Sequence, residues 1–95
     1  MYSMEQAERI ATDFLQRESA NWDQEVALFK EDDGKAHKGE FFYFNFQSAR
    51  YIDTRNDKYF LYGATCIEVN GVTGECRFLG IQQLLAAGDP FNIQQ

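Results

Sequence analysis

The chain is short of basic residues, of histidine and cysteine, and of long apolar runs, and each shortage closes off a class of function. Nine Lys and Arg stand against fifteen Asp and Glu in 95 residues, a net charge of −6. Nucleic acid recognition needs a basic footprint, and so does attachment to an anionic membrane surface, so neither partner is expected. Nowhere do 18 apolar residues follow one another, which argues against a membrane span. The N-terminus has no basic region leading into an apolar core, so no secretory signal is expected. His37 is the one histidine, and it has no second histidine and no cysteine beside it, too few ligands for zinc. Glu31-Asp32-Asp33-Gly34 lacks the alternating ligands and terminal Glu of a calcium loop. A nucleophile needs a base in reach, and His37 is far in sequence from Cys66 and Cys76. Gly71-Val72-Thr73-Gly74 is followed by Glu75, not by the Lys and helix of a phosphate loop. No carboxylate sits in an apolar run that would raise its pKa by burial. The chain is therefore expected to be no enzyme, with no catalytic residues, no metal and no cofactor.

What is present points to one α+β domain over residues 1–95. The expected architecture is a single antiparallel sheet of four to five strands, an N-terminal helix packed on one face and a short C-terminal helix. The clearest stretch is Tyr62 to Gly80, which reads as a hairpin. Thr65, Ile67 and Val69 alternate with Cys66, Glu68 and Asn70, the period of a half-buried strand. Asn70 to Gly74 supplies turn residues. With Asn70 opposite Glu75, Val69 meets Cys76, Glu68 meets Arg77 and Ile67 meets Phe78. Apolar pairs then share one face and an opposite-charge pair the other. A tighter turn at Asn70-Gly71 is the rival; it would set Val69 opposite Val72 and Ile67 opposite Gly74. The longer loop also points Cys66 and Cys76 to opposite faces, so no disulfide is expected and two free thiols suit a reducing cytoplasm.

Ahead of the hairpin, Ser3 and Gln6 form a capping box, and Met4, Ala7, Ile10, Ala11, Phe14 and Leu15 make the apolar stripe of a helix reaching Glu18 or Ser19. Trp22 is expected to close a core edge, and Glu25 to Lys30 to form the first strand. Glu31 to Gly39 reads as a solvated hairpin tip. Nine of the fifteen aromatics lie between Phe41 and Tyr62. In Glu40 to Ser48, Phe42, Phe44 and Phe46 take the face under the helix, while Phe41, Tyr43, Asn45 and Gln47 take the other. Three roles are open for the outer aromatics: cover by a terminal segment, cross-strand packing, or a binding patch. Ala49 to Lys58 reads as a polar connection with Tyr51 prolonging the strand, and Tyr59 to Tyr62 resumes β structure. Gly63 is a bend or bulge. Ile81 to Ala87 reads as a helix ended by Gly88 and Pro90, with Ile81, Leu84 and Leu85 toward the body; Phe91 and Ile93 suggest a docked C-terminus.

Three phrases together, MEQAERIATDFL, GEFFYFNF and VNGVTGECRFLG, resemble the immunity protein 35 family of bacterial polymorphic toxin systems. The likeness runs over roughly residues 3 to 86. Asn70-Gly71 departs from the family's more usual Asp followed by a charged residue, and Arg50 to Lys58 reads as an insertion. The resemblance implies a compact α+β protein that shields its own cell by binding a cognate toxin, without catalysis or cofactor. The negative charge suits a toxin with a basic surface. Candidate partner contacts are the acids Asp23, Glu25, Glu31, Asp32, Asp33, Asp53 and Asp57 and the aromatics Phe41, Tyr43 and Tyr51. A chaperone-like homodimer joined through the open sheet face is the alternative.

Overall fold

A computed structural model describes residues 1–91. Helix α1 spans Met4–Glu18, and its start is the expected box: Gln6 N–H donates to Ser3 Oγ and Ser3 N–H to Gln6 Oε1. Each bond satisfies an amide that a helix start or its cap would otherwise leave unpaired. Ala7, Ala11 and Leu15 are buried, flanked by Met4, Ile10 and Phe14. The small alanines let the helix approach the sheet closely.

The sheet has five strands: β1 Val26–Leu28, β2 Lys35–Lys38, β3 Phe41–Ser48, β4 Cys66–Asn70 and β5 Cys76–Leu79. All pairings are antiparallel, and β3 is flanked by β4 on one side. On its other side β1 pairs with the end of β3 and β2 with its beginning, so the two act as one interrupted edge strand. Between them Phe29 N–H still donates to Asn45 O, and a 3-10 turn, Asp32–Gly34, bulges out. Gly34 is required there, because a Cβ would come within 2.8 Å of the Phe29 Cβ.

The reading of residues 31–39 as a solvated tip is therefore corrected. Lys35 to Lys38 is a strand, and the hairpin tip is confined to Gly39-Glu40. Its polar side chains find one partner across the hairpin and one on α1. His37 stacks on Phe42 at 4.2 Å between centroids, and Lys35 Nζ reaches Glu8 on α1 at 3.1 Å.

The β4–β5 hairpin takes the longer-loop register, with Val69 opposite Cys76, Glu68 opposite Arg77 and Ile67 opposite Phe78. Asn70 N–H donates to Glu75 O, while the Asn70 side-chain oxygen accepts from the amides of Val72 and Thr73 and holds the loop. Gly71 is buried under the N-terminal segment, which bonds to it through Tyr2 N–H. The two cysteines lie in different apolar clusters and are free.

The stretch after β3 departs from expectation twice. Ala49–Thr54 is helix α2, not a connection, and Tyr51 does not prolong the strand. Ser48 caps the helix by accepting from Tyr51 N–H at 3.0 Å, and Arg55 ends it in the left-handed region at φ 57°. Tyr59 to Tyr62 forms no strand. A 3-10 turn covers Asp57–Tyr59, and the backbone of Leu61 pairs with a side chain instead of a strand. Gln47 Nε2 donates to Leu61 O at 3.0 Å, and Leu61 N–H donates to Gln47 Oε1 at 2.8 Å. Ser48 Oγ donates to Tyr59 O. The backbone bonds that a strand would have made are thus satisfied locally. Gly63 is a bend at positive φ.

Both sheet faces are covered. Under α1 lie Phe42, Phe44, Phe46, Ile67 and Val69. Each buried Phe contributes about 1.5–3 kcal/mol of apolar transfer. Trp22 closes this core's edge, 5.9 Å from Phe78 and 6.2 Å from Phe46, yet stays partly exposed. On the outer face Tyr43, Cys66 and Leu79 are buried beneath α3 (Ile81–Ala86) and Phe91. Helix α3 turns only Leu84 inward, joined by Ala87 just past its end. Ile81 and Leu85 are 71% and 60% exposed, so the expectation that they face the body is corrected. The reason is geometric: a helix of six residues lays one narrow stripe on the sheet, and Lys38 pins its far end by donating to Ala87 O. Ile93 lies outside the described residues.

Candidate interaction surface

Helix α2 leaves the C-terminal end of β3 and is bracketed by acidic segments. On one flank Ala49 N–H donates to Glu25 O at 2.9 Å, which brings Asp23 and Glu25 beside Arg50 and Tyr59 around an open groove of about 430 Å³. On the other flank Arg55 Nη2 meets both Glu31 carboxylate oxygens at 3.3 and 3.2 Å. The Arg55 guanidinium also lies over the rings of Phe29 and Tyr51, at 5.2 and 5.8 Å. A second groove, about 350 Å³, is lined there by Glu31, Asp33, Asn45 and Arg55. Asp53 sits on α2 itself and Asp57 in the following turn.

All seven acids singled out from the sequence are exposed and belong to this end of the molecule. Tyr51 joins them, half-buried edge-on against Phe60 at 5.0 Å. The cations of the region are partly occupied: Arg50 and Lys58 both lie over the Tyr59 ring, at 5.4 and 5.5 Å. Exposed pairs of this kind hold geometry more than they add stability. They leave Asp23, Asp32, Asp33, Asp53 and Asp57 without an ion pair among the described residues. A fringe of carboxylates on a rigid helix–turn frame is suited to meeting a basic surface.

The remaining candidates fall elsewhere. Phe41 begins β3, roughly 24 Å from Ser48 at about 3.4 Å per residue. It is half-buried against the outer cluster. Tyr43 is 3% exposed, covered by Phe91 edge-on at 6.4 Å, and so presents no surface to a partner. Its place among the contact residues is corrected: of the three roles open to it, cover by a terminal segment is the one the structure takes. Burial, and after it the neighbouring Glu68 carboxylate, pushes the Tyr43 hydroxyl up to about 12. Glu68 itself is 6% exposed. Arg77 Nε donates to it at 2.7 Å, so the buried charge is paired.

Sequence reasoning missed Arg50 and Arg55, which organise the acidic end. Their signal was present but weak: Arg55 stands four residues after Tyr51, and Arg50 nine before Tyr59, on a segment too polar to read as a helix. Among the described residues no group of three or more His, Cys, Asp or Glu could hold a metal ion. No helix among them is long and apolar enough to cross a membrane. A scan of family models, a search of curated proteins and a search of solved structures each found no match to this chain.

Proposed function

We propose that this chain is an immunity protein that binds a cognate bacterial toxin one to one inside the producing cell, in the cytoplasm, and neutralises it without catalysis. The observation that carries the reading is the gathering of Asp23, Glu25, Glu31, Asp32, Asp33, Asp53 and Asp57 around α2, from three separate stretches of chain. A net charge of −6 adds a long-range attraction for a basic toxin, raising the rate of encounter more than the final affinity. The resemblance to immunity protein 35 supplies the class of partner. Self-association through Phe41 and Tyr43 is the weaker alternative, because Tyr43 is covered by its own chain.

The test is capture of the partner from the producing organism's lysate with identification by mass spectrometry, followed by association kinetics. Asp32→Lys with Asp33→Lys should lower the on-rate about ten-fold at low salt and flatten its salt dependence. The same reversal at Glu5, at the other end of the molecule, should do much less. An on-rate unmoved by the paired reversal, or a captured partner with no toxin domain, would refute the proposal.

A further inference from the structure

Strand β5 ends the sheet, with a partner strand on one side only. Asn70 N–H donates to Glu75 O at 2.8 Å, which directs the backbone groups of Glu75, and by alternation those of Arg77 and Leu79, toward β4. The N–H and C=O of Cys76 and Phe78 therefore point outward. Helix α1 packs over β1, β3 and β4 and reaches β5 through Phe14, 4.9 Å from Phe78, while among the described residues no strand pairs with the outer side of β5. An edge with outward donors and acceptors is a template for another strand.

The side chains along this edge are self-complementary. The run is Gly74-Glu75-Cys76-Arg77-Phe78, an acid and a base placed symmetrically about Cys76. Antiparallel pairing about a two-fold axis at Cys76 sets Glu75 of one copy opposite Arg77 of the other, twice, on the outer face. Arg77 is held for this: its Nε is engaged by Glu68 at 2.7 Å, while its side chain is 64% exposed. On the helix face Phe78 falls opposite Gly74, which has no side chain of its own and is flanked by the Tyr2 ring and Ile10. A groove of about 430 Å³ lined by Ile10, Asp13, Phe14, Arg17, Glu75 and Cys76 opens beside it. Other registers do worse. An axis at Arg77 would set two guanidiniums face to face, and an axis at Phe78 would lose both ion pairs.

We propose that two copies of this chain pair edge to edge through β5 in the Cys76-centred register, forming one continuous sheet with α1 of both copies on the same face. This interface lies apart from the acidic end around α2 and goes beyond the toxin-binding reading; each dimer would carry two such ends. The contact is isologous, as two-fold pairs require. Five residues per copy make a small interface, so the dimer belongs to the weak, exchanging class.

Equilibrium sedimentation in reductant at up to about 500 µM should give an average mass that rises with concentration from the 11.0 kDa chain mass toward twice that value. Glu75→Arg, at an exposed turn-proximal site, should weaken the dimer at least about ten-fold, since both attractive pairs become repulsive. Glu75→Gln should weaken it less. Hydrogen-bonded antiparallel partners hold their Cα atoms about 5.5 Å apart, within disulfide reach. A Cys66→Ser chain treated with diamide, which takes up the two thiol protons and two electrons, should therefore form a covalent dimer through Cys76. A monomer at this concentration overturns the proposal. A dimer indifferent to Glu75→Arg, or one whose Cys66→Ser form gives no Cys76 cross-link on diamide treatment, also overturns it.

Discussion

Gln47→Leu removes both hydrogen bonds that fasten Leu61 to β3 while nearly preserving side-chain volume. Gln47 is 2% exposed, so the change buries no new polar atom on its own side. What it leaves behind is the N–H and C=O of Leu61, bonded to Gln47 at 2.8 and 3.0 Å. An unpaired buried backbone group costs about 1–3 kcal/mol. Leu61 is half-buried, so water replaces part of the loss, and the added apolar area returns about 1 kcal/mol. The net destabilisation is about 2 kcal/mol, or about 10 °C in Tm for a chain of this length. Urea denaturation gives the energy, and amide exchange at Leu61 gives the location. Gln47→Glu sharpens the argument. Its carboxylate can accept from Leu61 N–H but cannot donate to Leu61 O, whereas its protonated form can do both. The folded-state pKa of this Glu would lie above the unfolded value of about 4.3, so the native state holds a proton that the unfolded state has released. Stability of that variant is therefore greatest in acid and is lost as pH rises through the raised value. A Leu variant within about 0.5 kcal/mol of the parent, with Leu61 still protected from exchange, would refute the reasoning.

Other outcomes follow from the two cores. Phe44→Ala should cost about 3–5 kcal/mol by urea denaturation, because the ring is enclosed under Ala7, Ala11 and Ile67; a loss under 1 kcal/mol would mean the cavity collapses or the face is not clamped. Burial pushes the Cys66 thiol up from 9.0 to about 12, so between those values the native state keeps a proton that the unfolded chain has lost. Stability should then fall by up to about 1.4 kcal/mol per pH unit above pH 9, less steeply in Cys66→Ala. An identical alkaline profile in the variant would remove Cys66 as the cause.

The amphipathic helix, its cap, the Phe42-Phe44-Phe46 face and the β4–β5 register were all legible in the chain, for one reason. Each is set by residues close in sequence whose spacing matches the repeat of a helix or a strand, and a slip of one position would mix apolar with charged. The acidic candidates were legible as residues but not as a site, because Asp23 and Asp33 line grooves on the two flanks of α2 only once that helix is placed between them. Strand β2 was illegible for a related physical reason: Lys35 is held there by Glu8, a partner 27 residues away, while His37 stacks on Phe42 across the hairpin only once the strand is paired. The side of the sheet on which Tyr43 is buried was likewise decided by tertiary structure, since only the arrival of α3 and Phe91 covers it. Local periodicity determined which elements form and which faces are apolar. Contacts between distant segments, whose closure entropy is offset only when the whole fold assembles, decided which polar segments become regular, which carboxylates gather, and which sheet edge stays open.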